Sequence, residues 1–153
     1  MKQILGFIAL LFSTTVCHMQ AADIEPRAGI IGGDIWGLQT GAYVNFPTSN
    51  VFSIQTGALL HTANENLLRR DGTWRIDLNI PVYASFHIPL SEKAKLRLNG
   101  GAYWGTGPKM QLGATAEAGI EVKRLFVGAN CFQNCINEQE FLFGVSVGYK
   151  FQL

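Results

Sequence analysis

The stretch TWRIDLNIPVYASFHI, Thr73 to Ile88, decides how the chain is read. From Trp74 onward every even position is apolar: Trp74, Ile76, Leu78, Ile80, Val82, Ala84, Phe86 and Ile88. Most odd positions are polar, namely Arg75, Asp77, Asn79, Ser85 and His87. Successive side chains of a strand point to opposite faces, so this is a strand with one greasy and one wet face. A globular strand has about 5–6 residues, and this alternation runs from Trp74 to Ile88. A strand crossing a bilayer at a tilt needs about 9–11.

The bulk numbers lean the same way. A chain of 153 residues is one domain by default. Hydrophobic residues make up 48% and charged residues only 15%, which is little charge for a surface in water. The net charge of +1 argues against nucleic acid as the main partner. Met1-Lys2, the apolar run Ile4–Val16 and the alanines Ala21 and Ala22 read as an export signal. That run is shorter than the roughly 20 residues of a spanning helix. The expectation is a signal peptide over 1–21 and one domain over 22–153. Cys17 goes with the signal, because Val16 is bulkier than a lipoprotein cleavage site allows. Cys131 and Cys135 remain, in an oxidising compartment.

Alternation recurs through the rest of the chain. A weak first strand, from about Arg27 to Gly33, precedes Leu38–Phe46, and Pro47–Asn50 is a turn. Val51–His61 is followed by a long polar loop and the opening stretch. After the turn Pro89–Lys93 come Ala94–Trp104, Met110–Val122, Leu125–Phe132 and Phe141–Phe151. This predicts eight antiparallel strands in up-and-down order, with tight connections at 47–50, 89–93 and 123–124. Longer ones alternate with them at 61–73, 104–110 and 132–140.

The two faces differ in a way that fixes their direction. The apolar parity of the second to eighth strands carries no charge, whereas the other carries Arg75, Asp77, Lys95, Arg97, Glu117, Glu121 and Lys150. Eight glycines share that second parity, among them Gly101, Gly119, Gly128 and Gly144. Glycine weakens a strand and needs a reason; a crowded lumen supplies one, since eight strands leave just enough width for side chains to fill. A continuous uncharged exterior is stable only in lipid, and only a closed barrel leaves no unpaired strand edge there. Aromatics on the outward parity form two belts: Trp36, Trp74, Trp104 and Phe141 at the loop ends, and Phe46, Phe52, Phe86, Tyr149 and Phe151 at the turn ends. The reading is therefore an eight-stranded antiparallel transmembrane β-barrel of the cell outer membrane. The alternatives are a soluble periplasmic lipocalin-like lipid-binding barrel and a membrane enzyme that modifies lipids.

The segments GAYVNFPTSNVFSIQTGALL, LNIPVYASFHIPLSEKAKLRLNGGAYWG and FGVSVGYKF resemble the PorT-like family of small Gram-negative outer-membrane β-barrel proteins. The resemblance covers most of the chain after the signal and extends to a proline in the fourth strand, here Pro81. It implies an eight-stranded barrel with both ends in the periplasm. It also implies a role that is unassigned for most members and accessory to secretion for one group. The chain departs from the usual terminal aromatic, because Gln152-Leu153 follow Phe151.

Candidate sites are few. With a hairpin centred near Gly107, Arg97 should oppose Glu117 and Lys95 should lie near Glu121, giving an interior salt-bridge network with Arg75 and Asp77. His61 and His87 lack metal-ligand spacing, and Ser146 and Asp77 lack a nucleophile motif. No catalytic, cofactor or metal site is expected. Cys131 and Cys135 would lie about 13 Å apart along an extended strand. A disulfide between them therefore requires the chain to turn near Phe132. Pro81 removes a ladder hydrogen bond and is a candidate bulge. The expected partners are outer-membrane lipids and lipopolysaccharide, the latter through the basic Leu67–Asp71, and an envelope protein at the outer loops.

Overall fold

A computed structural model of the chain describes residues 21–33, 36–64, 74–107, 110–136 and 141–152. The signal segment and Leu67–Asp71 lie outside the described residues, as do the side chains of Trp74 and Arg75. The strands are β1 (Asp23–Gly32), β2 (Trp36–Pro47), β3 (Phe52–Asn64), β4 (Trp74–Pro89), β5 (Ala94–Thr106), β6 (Met110–Val122), β7 (Leu125–Asn134) and β8 (Phe141–Tyr149). A two-residue β9 (Phe151–Gln152) prolongs β8 beyond Lys150.

Each strand pairs antiparallel with the next, and β1 pairs with β2 on one side and with β8 and β9 on the other. The sheet is thus a closed eight-stranded up-and-down barrel. Cα partners lead from Ile24 through Val44, Thr56, Val82, Ala102, Ala114 and Gln133 to Phe141. Phe141 lies two residues short of Phe143, the partner of Gly32, so the circuit returns to β1 ten residues further along. Such a stagger obliges the strands to tilt, by roughly 35–45° in barrels.

The first strand begins at Asp23, four residues before the position expected. Asp23, Glu25 and Arg27 alternate with Ile24, Pro26 and Ala28, so DIEPR is strand rather than polar leader. At the other end, β7 runs two residues past Phe132 to Asn134.

Two of the tight turns are built alike. In PTSN the Ser49 hydroxyl accepts from the amide of Phe52 at 3.0 Å, and in PLSEK the Ser91 hydroxyl accepts from that of Ala94 at 3.1 Å. The third needs only Lys123 and Arg124, with Lys123 at a φ of 56°, the left-handed region that tight turns demand. All three open at the same end as the two chain ends of the barrel.

Pro47 and Pro89 end their strands, whereas Pro26 and Pro81 lie in strand interiors, and both of these sit where one seam of the sheet lapses. Between β3 and β4, Thr56 pairs with Val82 and Leu59 with Asn79, with no pairing at Gly57, Ala58, Ile80 and Pro81. Both chains advance three residues across that gap, so no residue is inserted and Pro81 is not a bulge, contrary to expectation. Pro81 remains paired with Tyr103 on its β5 side. Pro26 behaves the same way, paired with Ala42 while the seam to β8 and β9 lapses beside Tyr149 and Lys150. This accounts for the break between β8 and β9, because a proline has no amide hydrogen to offer.

The lapse at Pro81 is mended by a side chain: the Thr56 hydroxyl donates to the Pro81 carbonyl at 2.9 Å. Replacing Thr56 by Val should therefore cost about 1–2 kcal/mol, the penalty of a low-dielectric acceptor left unpaired. Urea unfolding in lipid vesicles measures this, and Thr56→Ser should behave as wild type.

Candidate functional site

The outward face is apolar and exposed along every strand, as at Ile76 (63%), Leu38 (62%) and Val82 (52%). Trp36, Trp104 and Phe141 stand exposed on it near the long-loop end. At the turn end Phe52 and Phe86 are cross-strand partners with rings 5.3 Å apart, and the rings of Tyr149 and Phe151 meet at a tilt with centres 4.9 Å apart. Phe46 is half-buried on the same face. A soluble lipid carrier would need the reverse arrangement, an apolar lumen and a charged exterior.

The lumen is polar and filled, in three tiers. At its middle lies a cage of two carboxylates and two guanidinium groups. Glu25 takes a two-pronged contact from Arg97, at 2.7 and 2.9 Å, and a third from Arg27 Nε at 2.6 Å. Arg27 turns its other nitrogens to Glu117. Asn99 ties in the periphery, donating to Glu117 at 2.7 Å and to Gln55 at 2.9 Å. All four charged groups are buried, so each must have its partner. Phe126 lies against both cations, with Arg97 at 3.7 Å and Arg27 at 4.3 Å from its ring centre. A methyl group at Gly119 or Gly128 would overlap that ring; these two glycines make room for it.

Toward the long-loop end the lumen is stopped by Ile31, Leu59, Tyr103 and Phe132, with Leu142 packed against them. Tyr103 and Phe132 meet edge-on at 5.1 Å, and His61 meets Phe132 at 5.2 Å. Toward the turn end the lumen opens into a cavity bordered by Asn45, Ser53, His87 and Lys95. There the Ser53 hydroxyl lies 2.9 Å from His87 Nε2.

These placements revise the expected network. The hairpin closes with Thr106 opposite Met110, so Arg97 faces Gly119 and Asn99 faces Glu117, two residues out of the expected register. Arg97 still reaches Glu117 at 3.9 Å, but its close partner is Glu25. Lys95 opposes Glu121 as the spacing suggested, yet it is exposed. Glu121 is instead held by Lys150 at 2.7 Å and Arg97 at 3.4 Å. Asp77 is buried beside His61, far along the barrel from the cage, and Arg75 falls outside the described side chains. Ser146 is buried in the lumen. The residues missed were Glu25, Arg27 and Phe126. The strict alternation of Asp23, Glu25 and Arg27 with apolar neighbours was the available signal.

Cys131 and Cys135 are both free. The chain does not turn at Phe132: β7 stays extended to Asn134, so the condition for a bridge is not met and the thiols stay apart. Among the described residues no His, Cys, Asp and Glu side chains cluster as metal ligands would.

No family model matches the sequence, and no curated protein matches it. Solved structures do. Neisserial surface protein A superposes with a TM-score of 0.66 at 9% identity, over 89% of this chain and 99% of that one. The outer membrane enzyme PagL gives 0.60 at 10% identity, over 86% and 99%. The N-terminal β-barrel domain of Pseudomonas aeruginosa OprF gives 0.57 at 10%, over 88% and 100%. At such identities the likeness shows the fold, that of small eight-stranded outer-membrane barrels. With an uncharged apolar exterior, the chain is an integral outer-membrane protein.

Truncating Glu25 to Ala leaves two guanidinium groups partly unpaired in a closed lumen. The expected loss is about 3–5 kcal/mol of folding free energy, read by urea titration in vesicles. Mass spectrometry of the unreduced protein should show two free thiols, with no two-dalton gain on reduction.

Proposed function

We propose that this chain is a non-conducting outer-membrane barrel whose role is structural or interactive, exercised through its outer loops. The observation that carries this reading is the filling of the lumen, by the ion cage at mid-height and by the Leu59–Tyr103–Phe132 block above it. A barrel of eight strands has room for side chains or one small ligand, not for a water channel. Recognition then belongs to the segments that join β3 to β4 and β7 to β8, and the basic Leu67–Asp71 suits anionic lipopolysaccharide. The resemblance to the PorT-like family supports an accessory role in secretion or envelope assembly, with an envelope protein as the partner.

The fold itself does not choose between binding and catalysis, since PagL is an enzyme. We read this chain as not enzymatic. The Ser53–His87 contact would be the place to start a nucleophilic mechanism, but His87 Nε2 is shared with Ser85 at 3.3 Å. Among the described residues no carboxylate is hydrogen-bonded to that imidazole, so nothing orients it as a base.

Planar-bilayer recordings test the first half of this reading: purified barrel should give no stable unitary conductance, and steady channels would contradict it. Photo-crosslinkers placed in 65–73 and 137–140 test the second half, and should capture an envelope component that crosslinkers at the periplasmic turns do not.

A further inference from the structure

The cavity at the turn end has a volume of about 270 Å³ and opens at that end of the barrel, which the reading above places on the periplasmic side. Its charge does not balance. The cage beneath it is neutral, two carboxylates against two guanidinium groups. Glu121 is neutralised by Lys150. What remains around the cavity is Lys95, Lys123 and Arg124 against the single carboxylate of Asp23. Among the described residues none of those three cations has a carboxylate within salt-bridge reach. The excess is two positive charges. A phosphate monoester carries about −1.5 to −2 at pH 7.

The backbone of the turn that carries two of these cations is pinned to both neighbouring strands. The amide of Lys123 donates to the Lys93 carbonyl at 3.0 Å, and the amide of Lys150 donates to the Arg124 carbonyl at 2.8 Å, fixing the two-residue turn between its neighbours. Lys95 projects from the adjoining strand, directly opposite Glu121. One wall of the mouth, from β5 to β7, is therefore cationic.

The opposite wall offers acceptors. Asn45 and Asp23 are direct cross-strand partners on β2 and β1. Asn45 is only 3% exposed, yet its side-chain oxygen has no hydrogen-bond partner. Desolvating an acceptor without a donor is costly, and among the buried side-chain atoms of the described residues that lack a partner, this is the one whose residue lines the cavity. It lines the cavity, so the missing donor can come from there. A bare phosphate satisfies the cations but has little to give Asn45; a hydroxyl attached to the phosphate group satisfies both walls.

We infer that the periplasmic mouth of the barrel is a binding site for a hydroxylated phosphate monoester. The phosphate sits against Lys95, Lys123 and Arg124, and a hydroxyl of the same molecule donates to Asn45. The ligand is either a soluble sugar- or polyol-phosphate or the headgroup of a lipid presented at the inner leaflet. Binding here needs no opening of the lumen, because buried Ser53, His87 and Glu121 line the inner part of the cavity, and Arg97 of the cage holds Glu121 from beneath. It is independent of what the outer loops engage.

The test uses the full barrel, after signal removal, refolded in uncharged detergent and followed by amide resonances at low salt. Glycerol 3-phosphate should give saturable shifts centred on Asn45, Ser53, Lys95, Lys123 and Arg124. The triple variant Lys95→Gln, Lys123→Gln, Arg124→Gln should bind at least tenfold more weakly while keeping its heat-dependent gel mobility, the mark of a folded barrel. Asn45→Ala should erase the preference for glycerol 3-phosphate over ethyl phosphate, which has no hydroxyl. Tighter binding of short-chain lysophosphatidate than of glycerol 3-phosphate would assign the lipid source, and equal or weaker binding the soluble one; both support the site. Absence of saturable shifts at these residues, or a triple variant that binds like the wild type, would overturn it.

Discussion

A backbone amide in hydrocarbon has no water to turn to, and each one left unpaired costs several kcal/mol. That constraint falls hardest on β1, the strand that must pair on both sides for the sheet to close. The same ten residues carry Glu25 and Arg27, half of the buried ion cage. Closure and filling are therefore one event. Glu25 meets Arg97, 72 positions away in sequence and on the far side of the lumen, only when β1 is docked against both β2 and β8.

Buried ion pairs seldom add net stability over apolar packing, since desolvation offsets most of their attraction. What they impose here is geometry. Arg97 grips both oxygens of Glu25, a fork that tolerates little displacement. Phe126 occupies the space beside the two guanidinium groups, and Gly119 and Gly128 are small because that ring is large. A one-residue slip of any seam would send the charges to the lipid and the aliphatic face into the lumen. The cage thus penalises every register but one.

Much of this was legible in the chain. β4, β5, β6 and β8 declare themselves by alternation, and the clean separation of charges from the apolar parity shows which face meets lipid. The paired turns, with serine two residues after proline, mark the ends of strands. Legibility failed for three physical reasons. Pro26, with three charges within five residues, disguised the start of β1 as a polar leader, although it needs an amide on only one side. The β5–β6 register turned on one residue in a glycine-rich connection, which moved Arg97 off Glu117. The partners across the lumen are set by closure of the whole circuit, which no local pattern records. The free thiols follow from a failure of the first kind, because β7 outlasts its apolar residues: Gln133 faces outward near the interface and Asn134 inward, so extension costs nothing there.

A filled cylinder with apolar walls leaves only its two ends for recognition. One end is the loop side, where a hydrophobic stopper lies beneath the connections; the other is a charged mouth with a built floor. The account as a whole depends on β1 being a full member of the sheet inside the membrane. Amide hydrogen exchange of the barrel in lipid bilayers addresses this directly, strand by strand. The amides of Ala28, Gly29 and Ile30 should be protected to the same degree as those of Leu98 and Asn99 in β5. Exchange of the β1 amides at rates near those of the turns, with β5 still protected, would mean an open sheet and would contradict the account.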